Sequence, residues 1–187
     1  MCYASPRKNQ LLTKEYNRLG TQASAGCVRL AVIDAKWIYD HCKRGTKVVI
    51  GESRKMKKPS RKKIRLSTSS RTGWDPTDPD SSNPYRPKIK LKNGVSKKIK
   101  YGSDFDPLEK ISVSSRVTEK EELLDNVTIK GKVKVKKPGK YKLTYTLKDP
   151  NTLLSRTLKV TYTVGKKPAA QTTEKEAEQT ETIKDKE

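Results

Sequence analysis

The chain has 187 residues, of which 43 are Lys or Arg and 21 are Asp or Glu, giving a formal net charge of +22. Hydrophobic residues make up 32% and charged residues 34%, so the chain can build one or two domains with small cores and has no apolar run long enough to span a bilayer. Cys2, Cys27 and Cys42 are odd in number and show no paired C-x-x-C spacing, which argues against a disulfide framework and against a zinc site.

The first informative stretch runs from Ser24 to Asp34 and places Cys27 directly after Gly26, just ahead of a helix. A thiol there has the form of a nucleophile on a glycine turn, with the Gly26 and Cys27 amides available to a developing oxyanion. The plain alternative is a small buried hydrophobe, since free cysteine is among the most buried residue types. The helix is expected to start at an Asp34 N-cap and to repeat Ala35, Ile38, Tyr39 and Cys42 at helical spacing. Gly45 is expected as its left-handed C-cap. Trp37 and Tyr39 read as core or groove-wall residues, and Thr46 to Ile50 as a short β-branched strand. A thiolate near neutral pH needs an adjacent base or a positive field. The single histidine, His41, sits at the far end of the helix and reads as a helix C-terminal residue; Arg29 is the better source of a local field.

The blocks Ser24-Ala25-Gly26-Cys27-Val28-Arg29-Leu30, Asp34-Ala35-Lys36-Trp37-Ile38-Tyr39-Asp40 and Gly45-Thr46-Lys47-Val48-Val49-Ile50 resemble, in that order, the C-terminal end of an L,D-transpeptidase catalytic domain of the Gram-positive type. Glu15 to Gly20 and the later Gly73-Trp74-Asp75-Pro76-Thr77-Asp78-Pro79-Asp80 share the likeness. The resemblance implies peptidoglycan stem peptides as substrate and a role in cell-wall cross-linking and cell shape. Cys27 would be the nucleophile, Gly26 part of the oxyanion site, Arg29 a support, and Ser24 and Ala25 substrate neighbours. Ala25 stands where the family usually has histidine. The upstream histidine assigned as general base falls before Met1, so the chain is expected to represent a truncated domain with impaired activity. No signal segment is present in this sequence, although the family implies an extracellular, cell-wall location. No cofactor or metal is implied.

Residues 52–86 read as a basic linker rich in Pro, Asp and Ser, with Lys and Arg clustered from Arg54 to Arg65. That cluster is compatible with nucleic acid, but no helix-turn-helix, stacking platform or zinc finger accompanies it, so no specific nucleic-acid partner is expected.

Residues 87–165 alternate with period two. Tyr141, Leu143, Tyr145 and Leu147 share one strand face, Leu158, Val160, Tyr162 and Val164 another, and Val127, Ile129, Val133 and Val135 repeat the pattern around Gly131. Shorter strands are expected at Ile89 to Leu91, Ile99 to Tyr101 and Ile111 to Val113. With Tyr101 to Pro107 and Gly139 to Asp149, the segment is similar to the immunoglobulin-like modules of bacterial surface proteins, which implies a small antiparallel sandwich. It holds 19 Lys and Arg against eight Asp and Glu. Outward lysines protect sheet edges, or attract the anionic polymers of a Gram-positive wall.

The expected fold class is therefore mostly β: residues 1–51 as the C-terminal part of an L,D-transpeptidase-like domain with one short helix, 52–86 as linker, 87–165 as an immunoglobulin-like antiparallel sandwich, and 166–187 as a polar disordered tail. The expected function is a cysteine acyltransferase of peptidoglycan. A non-enzymatic, cationic wall-binding or spacer protein is the alternative.

Overall fold

The computed structural model describes residues 11–49, 51, 62–67 and 72–168. Cys2, Ile50, Arg54 to Arg61 and most of the expected tail lie outside the described residues. The described chain is mostly β. Three helices, α1 (Thr13–Tyr16), α2 (Val32–His41) and α3 (Lys120–Asp125), and a 3-10 turn at Leu108–Lys110 accompany six strands.

The strands are β1 (Lys88–Leu91), β2 (Lys98–Ile99), β3 (Ile111–Ser114), β4 (Val127–Lys130), β5 (Gly139–Lys148) and β6 (Ser155–Val164). They form a two-stranded sheet, β1-β3, and a four-stranded sheet in the order β2-β6-β5-β4. The long β5–β6 hairpin runs in unbroken antiparallel register from Gly139↔Val164 to Lys148↔Ser155. Its alternation is the one expected: Leu143, Tyr145, Leu147, Val160, Tyr162 and Val164 are buried, while Lys140, Lys142 and Lys159 are exposed. Together with Ile99, Ile111, Val113 and Leu123 they form the principal core. Phe105 meets Tyr162 edge-on at 4.9 Å, and the Tyr145 and Tyr162 hydroxyls bond at 3.1 Å. Burial and that hydrogen bond push the Tyr145 phenol above its ordinary value.

Three details depart from the expected sandwich. The β2 strand joins β6 in parallel rather than antiparallel, because the chain reaches that edge after a crossing from β1 instead of a hairpin. The helix α3 carries Leu123 into the core with no solvent exposure, although nothing in the period-two pattern announces it. Val133 and Val135 leave the strand: β4 ends at Lys130, and Gly131 adopts φ +101°, where a Cβ would run into the carbonyl oxygen of Lys142. The chain then turns through Lys134 to Lys137, and the Val135 carbonyl accepts the Gly102 amide at 2.9 Å.

A buried carboxylate locks one end of the hairpin. Asp149 accepts hydroxyls from Ser115 and Thr118, each at 2.6 Å, and the amides of Asn151 at 2.9 Å and Thr152 at 3.2 Å. These four bonds replace the carboxylate's hydration and tie residues 115–118 to the β5–β6 turn.

A second, smaller cluster joins residues from three segments: Leu66 and Tyr85, both expected to be linker, pack with Tyr16 of α1, flanked by Leu11, Leu19, Ile64, Trp74 and Val117. Asn17 joins it as a surrogate backbone unit, donating to the Leu66 carbonyl and accepting the Leu66 amide, both at 2.8 Å.

Candidate functional site

Cys27 lies on the irregular segment between α1 and α2, exposed and free. The local turn is made by a serine. Ser24 Oγ donates to the Cys27 carbonyl at 2.7 Å and accepts the Gly26 amide at 3.4 Å. Gly26 itself is outside the left-handed region and a Cβ there would meet open space. The glycine turn expected beside the sulfur is therefore a hydroxyl-closed turn, since a short polar side chain can satisfy its own neighbouring backbone. Ala25 is exposed within the same turn.

The helix that follows is anchored from a distance. It begins at Val32 with Ala31 in the N-cap position, and Ala31 has no side-chain acceptor to offer. The free amides of the first turn are met by residues some 40 positions later: Val32 N–H donates to Asp75 Oδ2 at 3.0 Å, and Ile33 N–H to Thr77 Oγ1 at 3.2 Å. Asp75 Oδ1 also accepts the Thr77 amide at 2.7 Å and its hydroxyl at 2.6 Å. Asn83 Nδ2 in turn donates to the carbonyls of Asp75 and Asp78. The expected Asp34 cap is thus corrected. The cap is tertiary, because an Asp-Pro-Thr turn places a carboxylate and a hydroxyl on the positive end of α2.

The other end of the helix is corrected as well. Cys42 is the C-cap in extended conformation, its amide bonded to the Ile38 carbonyl at 2.8 Å. Gly45, at φ +88°, serves the following Lys43–Thr46 turn instead of the helix terminus. Residues 46–49 form no strand, with Val48 and Val49 about four-fifths exposed. Unpaired backbone has no ladder to join, whatever its β-branched content. Trp37 and Tyr39, expected in a core or groove wall, are exposed too.

His41 behaves as expected of a helix-end residue. Its ring stacks on Trp37 at 4.7 Å and its Nδ1 lies 2.8 Å from the Trp37 carbonyl. A carbonyl only accepts, so Nδ1 carries the proton in that contact. Arg29 is half-buried and lines a cleft of about 490 Å³ shared with Tyr16, Asp34, Lys62, Lys63 and Thr77. Cys27 and Arg29 therefore share one loop, whereas His41 is parted from both by the helix. Sequence reasoning missed Lys62, Lys63 and Thr77 as neighbours of Arg29; only the tertiary placement of residues 62–67 and 72–77 brings them there. Among the described residues, no group of three or more His, Cys, Asp or Glu side chains is arranged to hold a metal ion. No described helix is long and apolar enough to cross a membrane.

Comparison with known proteins finds two matches along the chain. Residues 4–50 match the L,D-transpeptidase catalytic domain family (YkuD), and residues 89–164 match the bacterial surface protein Ig-like domain. A Bacillus subtilis (strain 168) protein provisionally named L,D-transpeptidase YciB is 46% identical over 44 residues. That match takes in 24% of this chain and 23% of the relative, so the chain spans about a quarter of the relative's length. A crystal structure of a lipoprotein from Bacteroides thetaiotaomicron aligns at 25% identity over 44% of this chain and 40% of that one, with a TM-score of 0.32. In order along the chain, a segment of the L,D-transpeptidase catalytic domain type precedes an immunoglobulin-like domain of the kind found on bacterial surface proteins.

Proposed function

We propose that the chain is an L,D-transpeptidase-like cysteine acyltransferase of peptidoglycan cross-linking, carrying a portion of the catalytic domain and only weakly active by itself. The observation that carries this reading is the family match over residues 4–50, which includes Cys27 on an exposed loop. Residues 1–51 supply the thiol segment, 52–86 connect it to the rest, 87–165 form the surface module and 166–187 the tail. The same two likenesses support the reading of an extracellular, cell-wall location.

In this reading the Cys27 thiolate attacks the carbonyl of the third residue of a stem peptide. The C–N bond to the terminal D-alanine breaks, and D-alanine leaves with a proton on its amine. A thioester remains until an amine of a neighbouring stem attacks it, restoring the thiol. The Gly26 and Cys27 amides would donate to the oxyanion of each tetrahedral intermediate. The Gly26 amide makes only a long bond to Ser24, which an oxyanion can displace. Ser24 and Ala25 would border the stem peptide, and Arg29 would supply positive potential. The histidine among the described residues, His41, is the last residue of α2, and its ring nitrogen is engaged with the Trp37 carbonyl, which fits the weak activity expected.

The test is a tetrapeptide-stem assay for D-alanine release alongside acylation of the thiol by a carbapenem. Slow acylation lost in Cys27→Ala supports the reading; an unmodified protein after prolonged exposure overturns it. A second reading, a non-enzymatic cationic wall-binding or spacer protein, is favoured by a different observation: the module bears 19 basic against eight acidic residues, and Cys27 does not line the cleft that holds Arg29. That protein would leave the carbapenem intact and still sediment with purified walls at low salt.

A further inference from the structure

A groove of about 340 Å³ opens where residues 81–89 run onto the sandwich, and four cations line it: Arg86, Lys88, Arg116 and Arg156. Asp and Glu are absent from the lining, and among the described residues none of the four forms an ion pair. Each is projected by ordered backbone. Arg86 is held in plane by neutral carbonyls, its Nε donating to Asp80 at 2.9 Å, one Nη to Ser155 at 3.0 Å and the other to Pro79. Its charge is thus oriented without being neutralised. Arg116 sits between Ser115 and Thr118, both hydrogen-bonded to the buried Asp149. Lys88 opens β1 in register with Ser114, and Arg156 is paired with Leu147 near the start of β6.

Like charges gathered in one groove repel one another, and an anion relieves that repulsion while using guanidinium donors already in place. The rest of the lining is Ser81, Asn83, Pro84, Pro87 and Ile89, with no aromatic face on which a base could stack. The volume accommodates more than a single small ion. We propose that this groove is a binding site for a polymer of phosphodiester-linked polyols, engaging one or two phosphates at a time. The proposal deepens the polycation reading of the module and rests on it, and is independent of the thiol chemistry.

The test is calorimetric titration of the full chain with a synthetic poly(glycerol phosphate) oligomer, in parallel with poly-glutamate and a generic DNA duplex, at low and moderate salt. Arg116→Glu with Arg156→Glu should weaken the poly(glycerol phosphate) affinity by about tenfold or more. Lys134→Glu with Lys136→Glu carries the same change of charge but lies on the 131–138 turn, at the other end of the β5–β6 hairpin, and should weaken it by less than about twofold. The neutral pair Arg116→Gln with Arg156→Gln should fall in the same direction as the reversal. Equal losses from the two reversed pairs overturn the site and leave only diffuse attraction. No binding of any polyanion at low salt overturns both. Poly-glutamate or duplex binding as tightly as the phosphate polymer, with the same dependence on Arg116 and Arg156, overturns the assignment of ligand class.

Discussion

Helix α2 and strand β5 are each ten residues long, but α2 buries none of its residues fully whereas β5 buries three. In β5 the alternation of Lys and Thr with Leu and Tyr gives one wet and one dry face, and β6 supplies the matching dry face across ten paired positions. The hairpin is held by its own apolar pattern. The α2 helix exposes Trp37, Ile38 and Tyr39, and its described anchors are polar: the Asp75 and Thr77 contacts at its first turn and the Lys36–Asp40 pair at 2.8 Å along its side. One region is stabilised by burial and the other by caps. They should therefore fail separately, with the thiol-bearing segment the more easily loosened.

Mutations can break this contrast. The largest effect belongs to Leu123→Ala, which empties a fully buried site in the sandwich and should lower its unfolding free energy by about 2–5 kcal/mol, read from the urea midpoint of near-ultraviolet circular dichroism. Asp149→Ala follows at about 2–3 kcal/mol, since it leaves Thr118 and two amides short of an acceptor in a buried turn. An unchanged midpoint would mean that the turn is held by other means. Asp75→Ala removes the remote cap at about 1–2 kcal/mol and should speed amide exchange in α2 while the β5 and β6 amides keep their protection. Equal loss in both regions would show that they unfold together and end the contrast.

The smallest effect sharpens the sandwich side. Tyr145→Phe removes one hydroxyl of a buried pair and should cost about 1 kcal/mol near neutral pH. Because the folded phenol titrates above its unfolded value of 10.0, the neutral form is favoured in the fold. The stability linked to this titration is complete below that pH and is lost progressively as pH rises past it. The wild-type protein should therefore weaken above about pH 10 more steeply than Tyr145→Phe. Parallel curves would assign the alkaline loss to other groups.

Much of the sandwich was legible in the sequence. Tyr141 to Leu147 and Leu158 to Val164 carry a period of two, and a strand with one buried face can satisfy that pattern in only one register. Local pattern could not reveal α3, whose Leu123 is chosen by the space it fills in the core. Nor could it reveal the parallel edge at β2, which depends on where the chain crosses. At the candidate site, the sequence placed Cys27 ahead of a helix, and His41 at that helix's far end. It misassigned the cap, because an N-terminal amide accepts any carboxylate or hydroxyl that arrives, and Asp75 and Thr77 arrive from more than 40 residues away. Alternation and residue chemistry are written in neighbours along the chain and need no fold to be read. Which cations converge on one groove, and which side chains close a helix end, are relations between distant segments that exist only after the chain has folded back on itself.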